Sequence, residues 1–464
     1  MLARSGVAEV IAQLYVAEVI AQLYCVSVRV THVDVSRRPP DEGRARLVSC
    51  TMTIVQGGGS TPGRHARTAY SETATTAPTY LPNQEPTPGW QRATSRRPMR
   101  GVVVAGVALL GFAICALSLA SSFDAAFGVQ VTLLAVLLAL IPLAIVIPTF
   151  LWLDRFEAEP NIYLVGAFLW GALVAALLAG KFNTSALLVF EATTDHESAL
   201  TATAVFVAPF VEEGLKGLLV FLVWRLLRRE FDGVTDGMVY AGITAAGFAF
   251  TENITYLARA YLEDGTSMLT ATFVLRCLMS PFAHPMFTVL TGIGIGIAAT
   301  STRTWVRWVA PVVGYLCAVT AHALWNLSAM VAGSNLMGVY LIVDVPIFLA
   351  FIALIVWARR REGRIIGQFL TPYAAAGWLS PSEVAMLSSM PKRREARVWA
   401  RTNAGRRGLN AMRGFQDAAS ELALLRRRMY HSSVDARALT QERLLLDALV
   451  QRRHEFVGLP VAGT

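Results

Sequence analysis

Leu200–Trp224 reads LTATAVFVAPFVEEGLKGLLVFLVW, a 25-residue apolar run with two glutamates and a lysine near its middle. A run of that length can cross the hydrocarbon core as a helix. A charge at mid-bilayer, however, costs roughly 2.5–3.5 kcal/mol on insertion scales. Glu212, Glu213 and Lys216 therefore mark both a membrane fold and a place where the charges have work to do. Seven further apolar runs flank this one, at 101–121, 129–151, 161–180, 236–258, 269–300, 308–331 and 338–357. The reading is an all-α polytopic membrane protein of about eight transmembrane helices. Composition agrees, since 54% of residues are hydrophobic and 16% charged, whereas soluble domains are about a quarter charged.

The formal net charge is +9, and from Arg359 onward 19 Lys and Arg face 9 Asp and Glu, so the tail carries the whole excess. A basic tail beside the last span is a cytoplasmic signature, worth about 1 kcal/mol per residue near anionic lipid. The lipid bilayer is its expected partner, and no nucleic acid is. Arg96, Arg97 and Arg100 precede the first span. Arg155, Arg225 with Arg228 and Arg229, Arg303 with Arg307, and Arg359–Arg361 then occupy every second loop. A multi-pass plasma-membrane protein with both termini cytoplasmic satisfies the positive-inside rule throughout. The five cysteines show no paired spacing, which indicates neither a disulfide framework nor a thiolate metal site.

Outside the spans, residues 1–98 read as a disordered cytoplasmic arm, rich in Gly, Pro, Ser and Thr after Thr53. Within it, Val7–Tyr15 (VAEVIAQLY) is repeated unchanged at Val16–Tyr24, and Glu9 and Glu18 spoil any signal peptide. Residues 1–51 are accordingly expected to be a mis-called start, with translation beginning at Met52. Residues 99–358 form the transmembrane domain, and 359–464 a basic helical cytoplasmic tail. That tail opens on a capping box at Ser380-Pro381-Ser382-Glu383. In the sixth run, Ser280-Pro281 predicts a broken helix.

The candidate site residues are Glu212, Glu213, Glu252, His284, His322 and Asn326, supported by Lys216, Phe248 and Asn253. Lys216 follows Glu213 by three residues and Glu212 by four, so it can neutralise a carboxylate on its own helix face. At about 1.5 Å per residue, Glu213 lies ~16 Å from the cytoplasmic end of its span, His322 ~21 Å, and Glu252 and His284 ~24 Å. A single intramembrane His or Asn is ordinarily interhelical glue. Four polar faces in one band of depth are not. Such a cluster suits hydrolysis, with a buried Glu as general base on water. Two His and a carboxylate could hold Zn²⁺ with an open position, for which His284, His322 and Glu252 are the candidate ligands. Alternatively, His and Asn side chains could stabilise an oxyanion without metal. A proton- or cation-coupled transporter would also bury carboxylates and histidines, but it favours internal repeats, and no second copy of these motifs occurs. A non-catalytic scaffold or sensor is the other alternative.

The stretches EEGLK (Glu212–Lys216), FAFTEN (Phe248–Asn253), HPMFT (His284–Thr288) and HALWN (His322–Asn326) resemble the motifs of the PrsW family of membrane proteases. That family is distantly similar to the CAAX prenyl endopeptidases. LDRFEAEP (Leu153–Pro160) and DGMVY (Asp236–Tyr240) extend the likeness. The resemblance implies a membrane-embedded endopeptidase, with Glu212 and Glu213 as catalytic carboxylates, one of them activating water. It further implies that Glu252, His284 and His322 complete the site or bind metal, and that Asn326 helps at the oxyanion. The implied partner is a membrane-associated protein substrate. An anti-sigma-factor-like protein is the family's best-known example.

Overall fold

The computed structural model describes residues 98–227, 231, 233–332, 335–431 and 436–457. The expected disordered arm up to Arg97, its tandem repeat and the start at Met52 lie outside the described residues. Among the described residues the chain is helical throughout, with no strand. The helices are α1 (Pro98–Phe127), α2 (Val129–Leu153) and α3 (Asn161–Glu191), then α4 (Ala208–Leu226), α5 (Val234–Phe273), α6 (Ala283–Thr300) and α7 (Thr304–Ala332). After these come α8 (Val345–Ala375), α9 (Pro381–Leu387), α10 (Met390–His431) and α11 (Ala436–Val457). Four π-helical turns interrupt the membrane region: Trp170–Ala175 within α3, Thr203–Val207 ahead of α4, Val274–Met279 after α5, and Tyr340–Asp344 ahead of α8.

Among the described residues, six stretches are long and apolar enough to cross a membrane: Ala105–Phe127, Val129–Leu153, Asn161–Glu191, Val234–Thr300, Thr304–Ala332 and Met337–Ala375. They differ from the eight expected runs for two reasons. Glu212, Glu213 and Lys216 interrupt α4, which is not among the six. The fifth and sixth expected runs fall inside the single 67-residue stretch Val234–Thr300. Within that stretch the chain turns back at Asp264–Gly265, where Gly265 adopts φ +58°, a left-handed conformation that glycine reaches without a Cβ penalty. The segment after the turn runs back alongside the part of α5 that precedes it, so that Arg276 lies against Glu252 and Asn253. The helix then breaks at Ser280–Phe282, where the Ser-Pro signal lies, and restarts as α6 at Ala283.

Val234–Thr300 is the centre of the bundle. Its most apolar window is 78% buried, against 0–33% for the other five stretches. Small residues make this possible, as interhelical contact within lipid depends on close backbone approach. A Cβ on Gly237 would strike the Gly292 backbone, and one on Gly292 would strike that of Gly237. Gly296 meets Val234 and Gly294 meets Ala310 in the same way. Packing is thus the role of Gly292, Gly294 and Gly296.

The LDRFEAEP loop joins this bundle to the C-terminal helices. Asp154 Oδ2 accepts from the Glu159 N–H at 2.8 Å, and the Tyr240 hydroxyl donates to Glu159 Oε2 at 2.8 Å. Phe156 is buried in a second core, with Ile366, Leu370, Leu387 and Phe415, beneath the Arg393 guanidinium at 4.9 Å. Ser380 caps α9 by the expected box, accepting from the Glu383 N–H at 3.1 Å.

Two expectations follow. Gly292→Ala should destabilise the fold by about 1–3 kcal/mol, read as a lower unfolding temperature of the detergent-solubilised protein. Burial pushes the Asp154 carboxyl up to about 8, the Glu159 N–H opposing this and Asp236 adding to it. A carboxyl whose pKa rises on folding contributes stability that is full below its ordinary value of 3.8 and is lost as pH climbs through about 8. Thermal unfolding should therefore come earlier as pH rises across that window, and Asp154→Asn should flatten the dependence.

Candidate active site

Four helices meet at Lys216. α4 supplies Glu212, Glu213 and Lys216, α5 supplies Phe248, Glu252 and Asn253, α6 supplies His284 and Thr288, and α7 supplies His322. Glu213 and Lys216 are fully buried, and Glu212, His284 and His322 are nearly so. A charge here can be tolerated only if neighbours replace its hydration.

Lys216 Nζ donates to Glu213 Oε1 at 2.5 Å and to His284 Nδ1 at 3.2 Å, and lies 4.4 Å from the centre of the Phe248 ring. Glu213 Oε1 also faces His322 Nδ1 at 3.1 Å, and its Oε2 accepts from the Thr288 hydroxyl at 2.7 Å. Both Glu213 oxygens are therefore occupied. Glu252 Oε2 is shared between His284 Nε2 at 2.6 Å and Arg276 Nη2 at 2.5 Å, while Arg276 Nε donates to Asn253 Oδ1 at 3.0 Å.

Glu212 differs from both. Asn183 Nδ2 donates to its Oε1 at 3.1 Å, but its buried Oε2 has no hydrogen-bond partner among the described residues. That oxygen lies 3.9 Å from His322 Nε2. It also borders a cavity of about 250 Å³ that reaches His284, His322, Glu252 and Asn326.

The partners fix the tautomers. An ammonium can only donate, so His284 Nδ1 accepts from Lys216 and Nε2–H points to Glu252. His322 Nδ1–H donates to Glu213, which leaves the Nε2 lone pair facing Glu212. One ligand atom each from Glu212, His284 and His322 lies within 4.8 Å of the others. A carboxylate with two imidazoles suits Zn²⁺ and leaves a coordination position open, and the orphaned Glu212 oxygen is the kind of atom an ion would satisfy. His284 would have to give up its contact with Lys216 or Glu252. The donor set thus fits a metal, with Glu212 in the place expected for Glu252. Glu252 Oε2 is instead engaged by His284 and Arg276.

Asn326 sits on the cavity wall with its Nδ2 donating to the Ala204 carbonyl at 2.8 Å, which straps the Thr203–Val207 π turn. That bond uses one of the two amide hydrogens of Asn326. Three further residues were not singled out by sequence: Arg276, Asn183 and Thr288. Arg276 was visible as a charge within an apolar run, but only the reversal at Gly265 reveals its partner. Asn183 is an ordinary helix amide with no distinguishing signal.

Comparison with known proteins bears out the motif resemblance. Residues 159–351 match the family described as PrsW family intramembrane metalloprotease. Among curated relatives, "Protease PrsW" of Clostridioides difficile (strain 630) is 32% identical over 166 residues, covering 34% of this chain and 62% of that protein. "Protease PrsW" of Geobacillus kaustophilus (strain HTA426) is 29% identical over 194 residues, covering 41% of this chain and 77% of its own. The chain thus spans less than two thirds of the first of these relatives. No solved structure matches the chain.

Removing one member of a buried ion pair strands the other. Lys216→Met should cost about 3–5 kcal/mol. Adding Glu213→Gln should recover part of that loss, as measured by thermal unfolding of the two variants in detergent.

Proposed function

We propose that the PrsW-family region at residues 159–351 works in this chain as a membrane-embedded endopeptidase on membrane-associated protein substrates. The observation that carries this reading is the pair of acidic neighbours with opposite fates. Glu213 has both oxygens occupied by Lys216, His322 and Thr288, whereas Glu212 keeps one buried oxygen free beside a cavity.

In this reading Glu212 Oε2 holds the attacking water and takes its proton as general base. Asn183 fixes the Glu212 carboxylate through Oε1. Glu213 and Lys216 form a mutually neutralising pair that sets the His322 and His284 rings, and Glu252 with Arg276 holds His284 from its other side. The apolar wall around the rings, with Phe248 edge-on to His284 and Phe287 stacked on His322, limits bulk water. Were Zn²⁺ held by Glu212, His284 and His322, Glu212 Oε2 would be a ligand and not the base, and the ion would lower the pKa of the bound water. Eight crossings with both termini cytoplasmic, in the plasma membrane, complete the proposal. Residues 1–98 would be the arm and 359–464 the basic tail of a 99–358 protease domain.

Membrane N-terminomes of cells expressing wild type, Glu212→Gln and Glu213→Gln at equal levels test the hydrolysis. Neo-N-termini near membrane spans should fall ~10²–10⁴-fold in Glu212→Gln. Three identical profiles, with altered ion flux, would replace proteolysis by transport. Elemental analysis of the purified chain should find about one zinc per molecule under the ligand geometry described, and His322→Ala should lose it.

A further inference from the structure

Three residues lining the cavity each carry a buried polar atom with no partner among the described residues: Glu212 Oε2, Asn183 Oδ1 and Thr203 Oγ1. Buried polar groups in native proteins are almost always satisfied, so three around one cavity point to something that enters it. The proposed chemistry uses the Glu212 oxygen. It uses neither of the other two.

Their identities narrow the ligand. Asn183 Nδ2 is committed to Glu212 Oε1 at 3.1 Å, which sets the direction of the amide and leaves Oδ1 as a pure acceptor. Thr203 is only 8% exposed and begins the π-helical turn that Asn326 straps. Its hydroxyl can donate. An acceptor and a donor on the lining of one cavity, to which Leu200 and Phe287 add apolar surface, match the two hydrogen-bonding groups of a peptide backbone. A helical substrate offers no free N–H to Asn183, since its N–H groups are bonded to its own carbonyls.

We infer that Asn183 and Thr203 are substrate-binding residues that hold the backbone of a locally unwound, apolar substrate segment. Asn183 Oδ1 accepts from a backbone N–H and Thr203 Oγ1 donates to a backbone C=O, which lays the next peptide group against Glu212. The inference takes its meaning from the hydrolase reading, but the binding it describes can be measured without hydrolysis.

The probe is a fluorescein-labelled dodecapeptide of Leu, Ala and Gly, flanked by lysines, together with copies N-methylated at single central positions. Binding is read by fluorescence anisotropy on the full-length chain in detergent, carrying Glu212→Gln so that nothing is cut. One N-methyl position should weaken binding about five- to tenfold, the worth of a single hydrogen bond. With Asn183→Leu added, binding should weaken by a similar factor and that N-methylation should cost nothing more. Thr203→Val, nearly isosteric and so least disturbing to the fold, should also weaken binding, and Thr203→Ser should restore it. The inference is overturned if the parent does not bind, if all variants bind alike, or if N-methylation costs the same with and without Asn183; ordered water would then be the only guest. A silent N-terminome would sink the hydrolase reading and leave this binding pattern standing.

Discussion

An ammonium group buried among four helices has no water to turn to, and the architecture around Lys216 follows from that constraint. Its donors go to Glu213 and His284, and the face of Phe248 covers it. Glu213 in turn draws in His322 and Thr288. Apart from the Lys216–Glu213 bond, which lies within α4, each of these contacts crosses to another helix, so satisfying one lysine ties α4 to α5, α6 and α7 together. The close approach of α4 to α6, where a Cβ on Gly217 would crowd the Thr291 side chain, serves the same end by letting Thr288 reach Glu213. Packing and electrostatics are one constraint here.

Much of this was legible in sequence because charge in an apolar run is expensive and hence conspicuous. Glu212, Glu213, Lys216, Glu252, His284 and His322 stood out on that ground, and the structure brings them to one place. What could not be read were features whose meaning is purely three-dimensional. Asn183 and Thr203 look like any polar residue on a helix; only an atom-by-atom account of partners separates them from the rest. The choice between Glu212 and Glu252 as neighbour of the two imidazoles depended on Arg276, whose position follows from a reversal at Gly265. The same reversal lies between the fifth and sixth expected runs, within the apolar stretch Val234–Thr300.

The C-terminal helices lie beyond the family match, yet they are not a loose tail. They have their own buried core, and Arg393 at its centre donates to the Leu387 carbonyl and the Ser420 hydroxyl. Their basic surface was evident from composition. Their interior was not, since a buried arginine reads in sequence as one more positive charge. Phe156 is the link, a residue just ahead of the matched region that is buried in the neighbouring core.

The π-helical turns have a consequence for how such a chain can change. Each amounts to one residue inserted into an α-helix. Deleting a single residue between Thr203 and Val207 would leave a longer, more regular helix, and every side chain on one side of it would swing by about 100° relative to the other. Leu200 and Glu212 would then face different walls. Length in these segments is therefore held as tightly as any side chain in the cavity, and relatives of this protein should tolerate substitutions there far more readily than gaps.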